Sequence, residues 1–387
     1  MPRLELENQN LFDIAVKESF LLQKGFPINS GRYLVINGEQ YLDFSTASYL
    51  GLDCDREFME FAISTIESCG LGRCSSPLYV APDYYEVIKK NISKITQLPD
   101  VVLLSSTSLA NMAAIRYGLS FDYAYVDKFC HRSIAEAIKM RRSSVHYYNH
   151  TDIEALRIAF KNKKSNSIPA IITDGVYSVS GITAPVSDLY NISQEYRGYL
   201  IIDDAHGFGI DGKYGEGTLR YLPRPPTNNV IYIGSLTKSL SGYGGFIACS
   251  QDIGKRIRKV SPQYGFSCSI PLIYSAINSY ACQLIGSSKW INLVNRLKNN
   301  WLTLNNGIAK LGRSLMATYS PIAVLKLSDL YEMKRICIAL RNEKVSFNVV
   351  GFPAVPIGDY RIRFCLSASH TIEDITKLLS VFKNSLA

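Results

Sequence analysis

Two short stretches of this 387-residue chain carry the residue types most able to do chemistry. The first, YLIIDDAHGFG, runs from Tyr199 to Gly209 and is an apolar, partly β-branched segment that ends in two carboxylates, a histidine and glycines. This pattern predicts a buried strand that delivers polar groups to a site at its end. Because successive residues of a strand face opposite sides, Asp203 and Asp204 cannot easily converge on one ion, and we expect no metal site.

The second stretch, GSLTKSLSGYGG (234–245), places Lys238 just past another apolar segment, among small hydroxyl residues and glycines. It is not a Walker A loop, because the G-x-x-x-x-G-K-[ST] spacing is absent: Gly234 stands four residues before Lys238, with no earlier glycine at the right offset. A lysine in this setting is suited to form a Schiff base with a carbonyl cofactor. Pyridoxal phosphate is such a cofactor, and it needs an acidic partner for its pyridine nitrogen, since a protonated ring is a stronger electron sink. Asp203 is the residue that we expect to fill that role.

A sheet must position these residues, and the sequence predicts one. Short apolar segments alternate with polar or helical stretches, which is typical of an α/β protein with a mostly parallel, seven-stranded sheet. Several of these segments end in Ser or Asp, at the sheet edge where ligands of open parallel sheets bind. The predicted strands cover residues 101–106, 123–127, 144–149, 170–174, 199–203, 230–235 and 245–250.

The pattern changes after about residue 285 to long helices, a strand at 360–367 and a final helix, which predicts a smaller α+β domain. We therefore divide the chain into an N-terminal helix and segment (1–50), a large cofactor-binding domain (51–285) and a small C-terminal domain (286–387). The longest weakly polar run, PLIYSAINSYACQLIG from Pro271, is too short and too rich in Ser, Asn and Gln to span a membrane. It predicts a buried helix.

Composition limits the class of protein. The formal net charge is +9, but the basic clusters at 139–142, 161–164 and 255–259 lack interleaved aromatic residues, which favours solvated helix faces over a nucleic-acid interface. The basic surface would suit an anionic small substrate or an acidic carrier protein. The nine cysteines form no CxxC pair, and the N-terminal sequence lacks a secretory signal pattern. We therefore expect reduced thiols and a cytoplasmic protein that binds no nucleic acid.

Further motifs occur along the chain in a fixed order. They are YLDFSTASYLGL (41–52), SSTSLAN (105–111), DKFCHRS (127–133), DGVYSVSG (174–181), DDAHG (203–207), SLTK (235–238), FSCSIP (266–271) and RIRFCLSASH (361–370). This order resembles that of the α-oxoamine synthases, a family of fold-type I pyridoxal-phosphate enzymes, over nearly the whole chain. The resemblance implies the fold-type I transferase architecture and pyridoxal 5'-phosphate as the cofactor.

The resemblance also implies a role for each matching residue of the cofactor site. The motif D-x-x-x-H-x-S makes His131 the imidazole that stacks on the cofactor ring. In DDAHG, the family sets Asp203 against the pyridine nitrogen and His206 against the phenolic oxygen. SLTK supplies Lys238 as the Schiff-base lysine and Ser235 as a phosphate ligand.

The remaining matches concern the phosphate, the substrate and a second subunit. SSTSLAN stands where the family has a cradle of backbone amides, which implies that role for Thr107 and Ser108, and DGVYSVSG gives Ser178 a place near the cofactor. FSCSIP resembles a segment that reaches the phosphate of the neighbouring subunit, which implies Ser269 and a homodimer with shared active sites. RIRFCLSASH carries Arg363, matched to the arginine that pairs with the amino acid's carboxylate.

Three residues depart from the family pattern. Ala47 stands where relatives have Asn, so one usual donor to the substrate carboxylate is missing. Ala354 stands where some members carry Thr, and Asp174 replaces a usual Glu. The glycine-rich acceptor loop is also degenerate, reading GLGRCSSPLYVAPDYY (70–85). These departures bear on which amino acid and which acyl group are used.

The reaction implied by the resemblance is a decarboxylative condensation of a small α-amino acid with an acyl thioester of coenzyme A or of an acyl carrier protein. The product is an α-amino ketone, with CO2 and a free thiol. Two alternatives stay open. One is an aminotransferase or another fold-type I activity, because a fold does not fix the reaction. The other is a non-catalytic partner subunit, against which the retained Lys238, Asp203 and His131 argue.

Overall fold

The computed structural model describes residues 15–16, 20–21, 23–28, 31–72, 75–141, 143–161, 167–352 and 354–386. The described residues form two compact units. The larger unit comprises residues 55–177 and 183–290, and the smaller unit comprises residues 1–54, 178–182 and 291–387. Each unit has its own sheets and its own buried core.

In chain order, the strands of both units are β1 (Gly25–Pro27), β2 (Tyr33–Ile36), β3 (Glu39–Asp43), β4 (Asp100–Leu104), β5 (Tyr123–Asp127), β6 (Ser144–Tyr148), β7 (Pro169–Asp174), β8 (Tyr199–Asp203), β9 (Val230–Ser235), β10 (Gly245–Cys249), β11 (Ile322–Leu327), β12 (Val345–Ser346), β13 (Asn348–Val350) and β14 (Tyr360–Cys365). The strands of the larger unit form one seven-stranded sheet in the spatial order β4, β10, β9, β8, β7, β5, β6, where every pair is parallel except the two made by β10. The predicted fold class and all seven predicted strands of the large sheet are confirmed.

Helices pack between and around these strands. In chain order they are α1 (Arg56–Cys69), α2 (Tyr84–Thr96), α3 (Thr107–Ala113), α4 (Arg132–Lys139), α5 (Ile153–Lys161), α6 (Val186–Glu195), α7 (Gln251–Val260), α8 (Pro262–Gly265), α9 (Leu272–Leu284), α10 (Ser288–Lys310), α11 (Leu330–Asn342) and α12 (Ile372–Leu386). A π-helical turn, Ala114–Gly118, continues α3, and short 3-10 turns cover Leu52–Cys54 and Gly217–Tyr221.

Burial on both faces fixes the large sheet. Every residue of the parallel strands β5 and β7 is buried, which is typical of parallel strands covered by helices on both sides, and every residue of β9 and of the antiparallel strand β10 is buried too. Burial of so much branched aliphatic surface on both faces stabilises the sheet. In the observed register, Asp174 and Asp203, at the ends of β7 and β8, stand directly opposite each other.

The N-terminal strands belong to the smaller unit. β3 pairs with β2 on one side and, in parallel, with β12 on the other, through Leu42 and Val345. A second sheet has the order β11, β14, β13. The sequence predicts a separate segment at residues 1–50, whereas the described part of this range groups with residues 291–387 in the smaller unit, where β3 pairs with β12. The N-terminal helix predicted there lies mostly outside the described residues.

The apolar run from Pro271 forms α9, the buried helix that its sequence predicts. Its buried side includes Ser275, Asn278 and Ser279. Asn278 Nδ2 donates to Tyr243 O (2.8 Å), so this polar side chain is paired inside the protein. In the part of the chain that the structure describes, no helix is long and apolar enough to cross a membrane.

The cysteines only partly match the expectation of reduced thiols. Seven of the described cysteines are free. Cys268, however, is disulfide-bonded. Its loop lies beside residues 75–76, because Ser269 donates its backbone N–H to Ser75 O (2.8 Å) and Ser76 Oγ donates to Gly265 O (2.7 Å).

The adjacent carboxylates at the end of β8, Asp203 and Asp204, lie in different surroundings. Asp204 contacts residues of the loop that follows β8 and of β9. Asp204 Oδ2 accepts hydrogen bonds from Thr218 N (2.6 Å), Thr218 Oγ1 (2.9 Å) and the Tyr232 hydroxyl (2.8 Å). Its Oδ1 has no hydrogen-bond partner among the described residues. A Cβ at Gly175 or Gly217 would overlap this carboxyl group, which explains why glycines surround it. Burial raises the pKa of Asp204 to about 6.

We predict that Asp204→Asn changes how stability depends on pH. The folded-state pKa of about 6 lies above the ordinary value of 3.8, so the parent protein loses stability as the pH rises through this interval. Asparagine does not titrate, so the free energy of unfolding of the variant relative to the parent should rise by on the order of 3 kcal/mol between about pH 4 and about pH 7. Chemical unfolding at both pH values measures this change.

Asp188→Asn, at an exposed position of α6, is the matched control and should leave the parent's pH dependence nearly unchanged. If the stability difference between Asp204→Asn and the parent is the same at both pH values, the assignment of a raised pKa to this carboxyl is wrong.

Candidate active site

Polar residues from five strand ends meet at one edge of the seven-stranded sheet. Asp127, Asp174, Asp203 and Ser235 end β5, β7, β8 and β9, and all four are buried. Ser106 follows β4 closely and is half-buried. These strands run in the same direction, because β4 and β9 are both antiparallel to β10 and the others pair in parallel. The edge is therefore the carboxyl end of the sheet, where the sequence places the site.

The start of α3 lies against the start of β10. Ser106 caps this helix, since its Oγ accepts the Leu109 N–H (3.1 Å), and Thr107 and Ser108 are the first two helical residues. Gly245 permits the close approach, because a Cβ there would lie 2.6 Å from Thr107 N. Backbone N–H groups at a helix start lack partners inside the helix and attract anions. Thr107 and Ser108 thus occupy a position suited to a phosphate.

The carboxylate of Asp203 is held from two directions. Oδ1 accepts the Ala205 N–H (3.1 Å), and Oδ2 accepts a hydrogen bond from Asn111 Nδ2 (2.5 Å). A carboxylate has about four lone-pair positions, so Asp203 keeps the capacity to accept from a ring N–H. Asn111 is a site residue that sequence reasoning missed. The available signal was its place one helical turn after Thr107 in the SSTSLAN motif.

His131 stands at the start of α4 with an exposed side chain. Its Nδ1 lies 2.8 Å from Ser133 Oγ and accepts the Ser133 N–H (3.3 Å). Asn111 Nδ2 also donates to Ser133 Oγ (2.8 Å), so these contacts connect His131 to Asp203. Sequence reasoning missed Ser133 as well, although it is the last residue of the D-x-x-x-H-x-S motif.

Asp174 holds the loop that carries His131. Its Oδ1 accepts the backbone N–H of His131 (3.0 Å). The pKa of Asp174 lies well above its usual range, first because the carboxyl group is buried and second because Asp203 is close. The His131 N–H and the charge of Lys238 oppose this rise in pKa. Asp174 therefore keeps its proton to a higher pH than an ordinary carboxyl group.

Lys238 lies in the turn after β9, half-buried, with its Nζ 2.7 Å from His206 Nε2. His206 is buried, three residues after the end of β8. Ser235 is buried too, and its Oγ accepts the Thr237 N–H (3.2 Å). The structure thus brings Lys238 and His206 together, and it places Ser235 at the end of β9, three residues before Lys238.

Ser178 and Arg363 belong to the smaller unit, where both line a cavity of about 290 Å³. Arg363 is hydrogen-bonded to Tyr49, while its buried Nε has no hydrogen-bond partner among the described residues. The guanidinium therefore brings a positive charge to a largely apolar space. The other lining residues are Ala15, Leu21, Val179, Asn348, Val349, Val350, Gly351, Phe352 and Ala354.

Ser269 lies in the larger unit, in the loop between α8 and α9. Its backbone N–H donates to Ser75 O (2.8 Å), and the next residue, Ile270, donates its N–H to the Tyr85 hydroxyl (2.8 Å). These contacts hold the FSCSIP segment against residues near the degenerate glycine-rich loop. The expected role of Ser269 toward a second subunit stays a prediction.

The larger unit fits pyridoxal phosphate. It offers an amine at Lys238, a buried carboxylate with remaining acceptor capacity at Asp203, an exposed imidazole at His131 and a helix start at Thr107, where Gly245 leaves room. Within the described ranges, no group of three or more His, Cys, Asp and Glu side chains could hold a metal ion.

Comparisons with known proteins identify the family of the chain. The family described as aminotransferase class I and II matches residues 66–382. A putative 8-amino-7-oxononanoate synthase of Methanococcus aeolicus is 30% identical over 88% of this chain and 89% of its own length. The serine palmitoyltransferase of Sphingobacterium spiritivorum is 28% identical over 91% of this chain and 89% of its own length.

The fold is shared with a solved structure of serine palmitoyltransferase from S. paucimobilis that contains pyridoxal phosphate and myriocin. Its TM-score is 0.90 at 21% identity, covering 99% of this chain and 96% of that one. From the family match, the relatives and the ordered site motifs, we conclude that the chain belongs to the class I and II aminotransferase family and, within it, to the pyridoxal-phosphate-dependent α-oxoamine synthases.

Proposed function

We propose that this protein joins a small α-amino acid to the acyl group of a thioester with loss of CO2, giving an α-amino ketone and a free thiol. The observation that carries the proposal is the meeting of Lys238, His206, Asp203 and His131 at one sheet edge in an α-oxoamine synthase. The relatives' names, 8-amino-7-oxononanoate synthase and serine palmitoyltransferase, favour condensation over an aminotransferase or a non-catalytic subunit. The net charge of +9 suits coenzyme A or an acyl carrier protein.

Asp203 would keep the cofactor ring protonated. When bound, pyridoxal phosphate supplies a carbonyl that takes up an amine and a ring that absorbs the electron pair left on the substrate's α-carbon. A buried carboxylate beside the ring nitrogen favours the positively charged ring. The hydrogen bonds from Asn111 and from Ala205 N fix the direction of that carboxylate.

Lys238 and two histidines would carry out the proton transfer and the hydrogen bonding that the reaction needs. Lys238 Nζ would hold the cofactor, and after release the same amine is placed to take the proton from the substrate's α-carbon. His206, 2.7 Å from Nζ, would face the cofactor's phenolic oxygen. His131 would stack on the ring and donate an N–H to the thioester carbonyl oxygen, which gains negative charge as the carbon–carbon bond forms.

The remaining residues would bind the phosphate and the substrate. Thr107 and Ser108 would present backbone N–H groups at the start of α3, and Ser235 would add its hydroxyl. Ser178 would lie near the cofactor. Arg363 would bind the amino acid's carboxylate, for which its planar guanidinium is well shaped.

The test of this proposal joins a covalent readout to product analysis. Borohydride treatment of the protein loaded with pyridoxal phosphate should fix the cofactor on Lys238, as located by peptide mapping. Mass spectrometry after incubation with panels of amino acids and acyl thioesters should detect an α-amino ketone, free thiol and CO2, and Lys238→Ala should abolish all three. A pyridoxyl group on another lysine, or amino-group transfer without loss of CO2, would show that the proposal is wrong.

We predict that Arg363→Ala weakens amino-acid binding by roughly 2–5 kcal/mol, because it removes a charge-assisted pair from a desolvated site. Ala47→Asn should change binding by no more than about 1 kcal/mol, the scale of one neutral hydrogen bond. Titration of the bound cofactor's absorbance with candidate amino acids measures both. Arg335→Ala, at an exposed position of α11, is the control and should bind like the parent. Unchanged affinity in Arg363→Ala would place the carboxylate elsewhere.

We also propose that the active form is a homodimer with shared active sites. The larger unit exposes large apolar side chains near Ser269: Phe266 is 92% exposed, Tyr79 is 85% exposed and Leu71 is 76% exposed. Phe266 and Tyr79 lie in adjoining segments, since a Cβ at Gly265 would lie 2.8 Å from the Leu78 side chain, and Leu71 precedes Gly72, where a Cβ would lie 2.8 Å from the side chain of Leu272. A second copy would cover this surface and bring its own Ser269 to the phosphate of the first.

Mixing two inactive variants tests the shared site. Lys238→Ala removes the lysine from one chain, and Ser269→Trp blocks the contribution that the other chain makes to its neighbour. A hybrid dimer should have one intact site out of two, so activity should return to up to about half of the parental value per hybrid. If hybrids shown to exchange subunits stay inactive, Ser269 does not serve the partner's site.

A cytoplasmic location is a further part of the proposal. The seven free cysteines among the described residues support it, since disulfides are rare in reducing compartments. The disulfide at Cys268 stands against it. Cell fractionation with an antibody to this chain would distinguish a cytoplasmic location from a location in an oxidising compartment.

A further inference from the structure

Asn111 is a buried residue whose side chain contacts both Asp203 and Ser133, the neighbour of His131. It lies in α3, with no exposed surface, four residues after Thr107. Its Nδ2 donates to Asp203 Oδ2 (2.5 Å) and to Ser133 Oγ (2.8 Å). Its Oδ1 has no hydrogen-bond partner among the described residues. Both amide protons are therefore used within the site.

The orientation of this amide follows from chemistry. An ionised carboxylate only accepts hydrogen bonds, so the Asn111 atom that lies 2.5 Å from Asp203 must be the nitrogen. The second proton of that nitrogen points to Ser133 Oγ, which must accept it. The hydroxyl proton of Ser133 is thereby left to be donated to another atom.

His131 is the acceptor for that proton. Its Nδ1 lies 2.8 Å from Ser133 Oγ and also faces the backbone N–H of Ser133 at 3.3 Å. Two donors aimed at one ring nitrogen require a lone pair there, so a neutral His131 carries its proton on Nε2. The N–H that could reach a substrate oxygen is then present before any substrate binds.

We propose that Asn111 is a positioning residue that holds the Asp203 carboxylate directly and, through Ser133, keeps His131 in the Nε2-protonated form. The proposal rests on the roles proposed above for Asp203 and His131. One amide side chain thus sets the direction of the group that faces the ring nitrogen and the hydrogen-bonding state of the group that stacks on the ring. Asn111 itself need not touch cofactor or substrate.

The experiment uses three variants of the full chain and two readouts. Asn111→Ala removes both contacts, and Ser133→Ala removes only the hydroxyl that faces His131. Asn300→Ala is the matched control, since Asn300 is buried in the smaller unit and its Nδ2 also donates twice, to Ser367 O (3.0 Å) and His370 O (2.9 Å). The readouts are nitrogen NMR of the histidine rings in the cofactor-free chain and the dissociation constant of pyridoxal phosphate from absorbance titration.

In the parent chain, the His131 ring should show the Nε2-protonated form, with the signal assigned by its loss in His131→Gln. Ser133→Ala should move this ring to a mixture of both neutral forms and leave cofactor affinity within about two-fold. Asn111→Ala should also weaken pyridoxal phosphate binding by roughly ten-fold or more, the scale of a hydrogen bond to a charged group. Asn300→Ala should change neither readout.

Two results would overturn the inference: a parent His131 protonated on Nδ1, or an Asn111→Ala chain that matches Asn300→Ala in both readouts. If Asn111→Ala does not fold, Ser133→Ala decides, and an unchanged His131 ring in that variant overturns the proposal. The ring measurement needs no substrate. The absence of a condensation product would therefore count against the proposed reaction and leave this inference standing.

Discussion

The arrangement of the site depends on two buried carboxyl groups, Asp174 and Asp203, that parallel pairing sets side by side at the ends of β7 and β8. Two ionised carboxylates that are buried side by side cost much free energy, so one carboxyl group of such a pair tends to keep its proton. Burial and the neighbouring Asp203 raise the pKa of Asp174, while donors from Asn111 and from Ala205 N surround Asp203. The pair thus divides into Asp174, which holds the His131 loop, and Asp203, which is proposed to face the cofactor ring.

The other parts of the site extend from this pair through hydrogen bonds. Asp174 accepts the backbone N–H of His131, and Asp203 accepts a hydrogen bond from Asn111 in α3, the helix whose start is proposed to bind the phosphate. Lys238 is near enough to affect the pKa of Asp174 and lies beside His206. Asp204, one residue after Asp203, takes part in none of these contacts and instead accepts hydrogen bonds from Thr218 and Tyr232. Asp203 and Asp204 are therefore adjacent in sequence but have different contacts in the structure.

Catalysis and substrate choice are assigned to different parts of the chain. The groups proposed to act on the cofactor lie in the larger unit, whereas Arg363 and the apolar cavity that it lines lie in the smaller one. One positive charge among aliphatic side chains suits a ligand with one carboxylate and an apolar portion. Ala354 belongs to this lining, which gives one of the family departures a place in the structure.

The sequence by itself determined the strands of the large sheet and the family, and it is the source of the proposal that Lys238 and Asp203 serve the cofactor. Apolar runs, strand-end residues and motif order are local features that need no knowledge of distant contacts. Only the tertiary structure decided what Asn111 and Ser133 do, because Asn111 meets Asp203 across 92 residues of sequence and Ser133 across 22. The pairing of β3 with β12 and the raised pKa of Asp174 escaped sequence reasoning for the same reason. Strand order, the burial of a side chain and the charges that lie beside it are set only when the chain folds. No local sequence pattern contains this information.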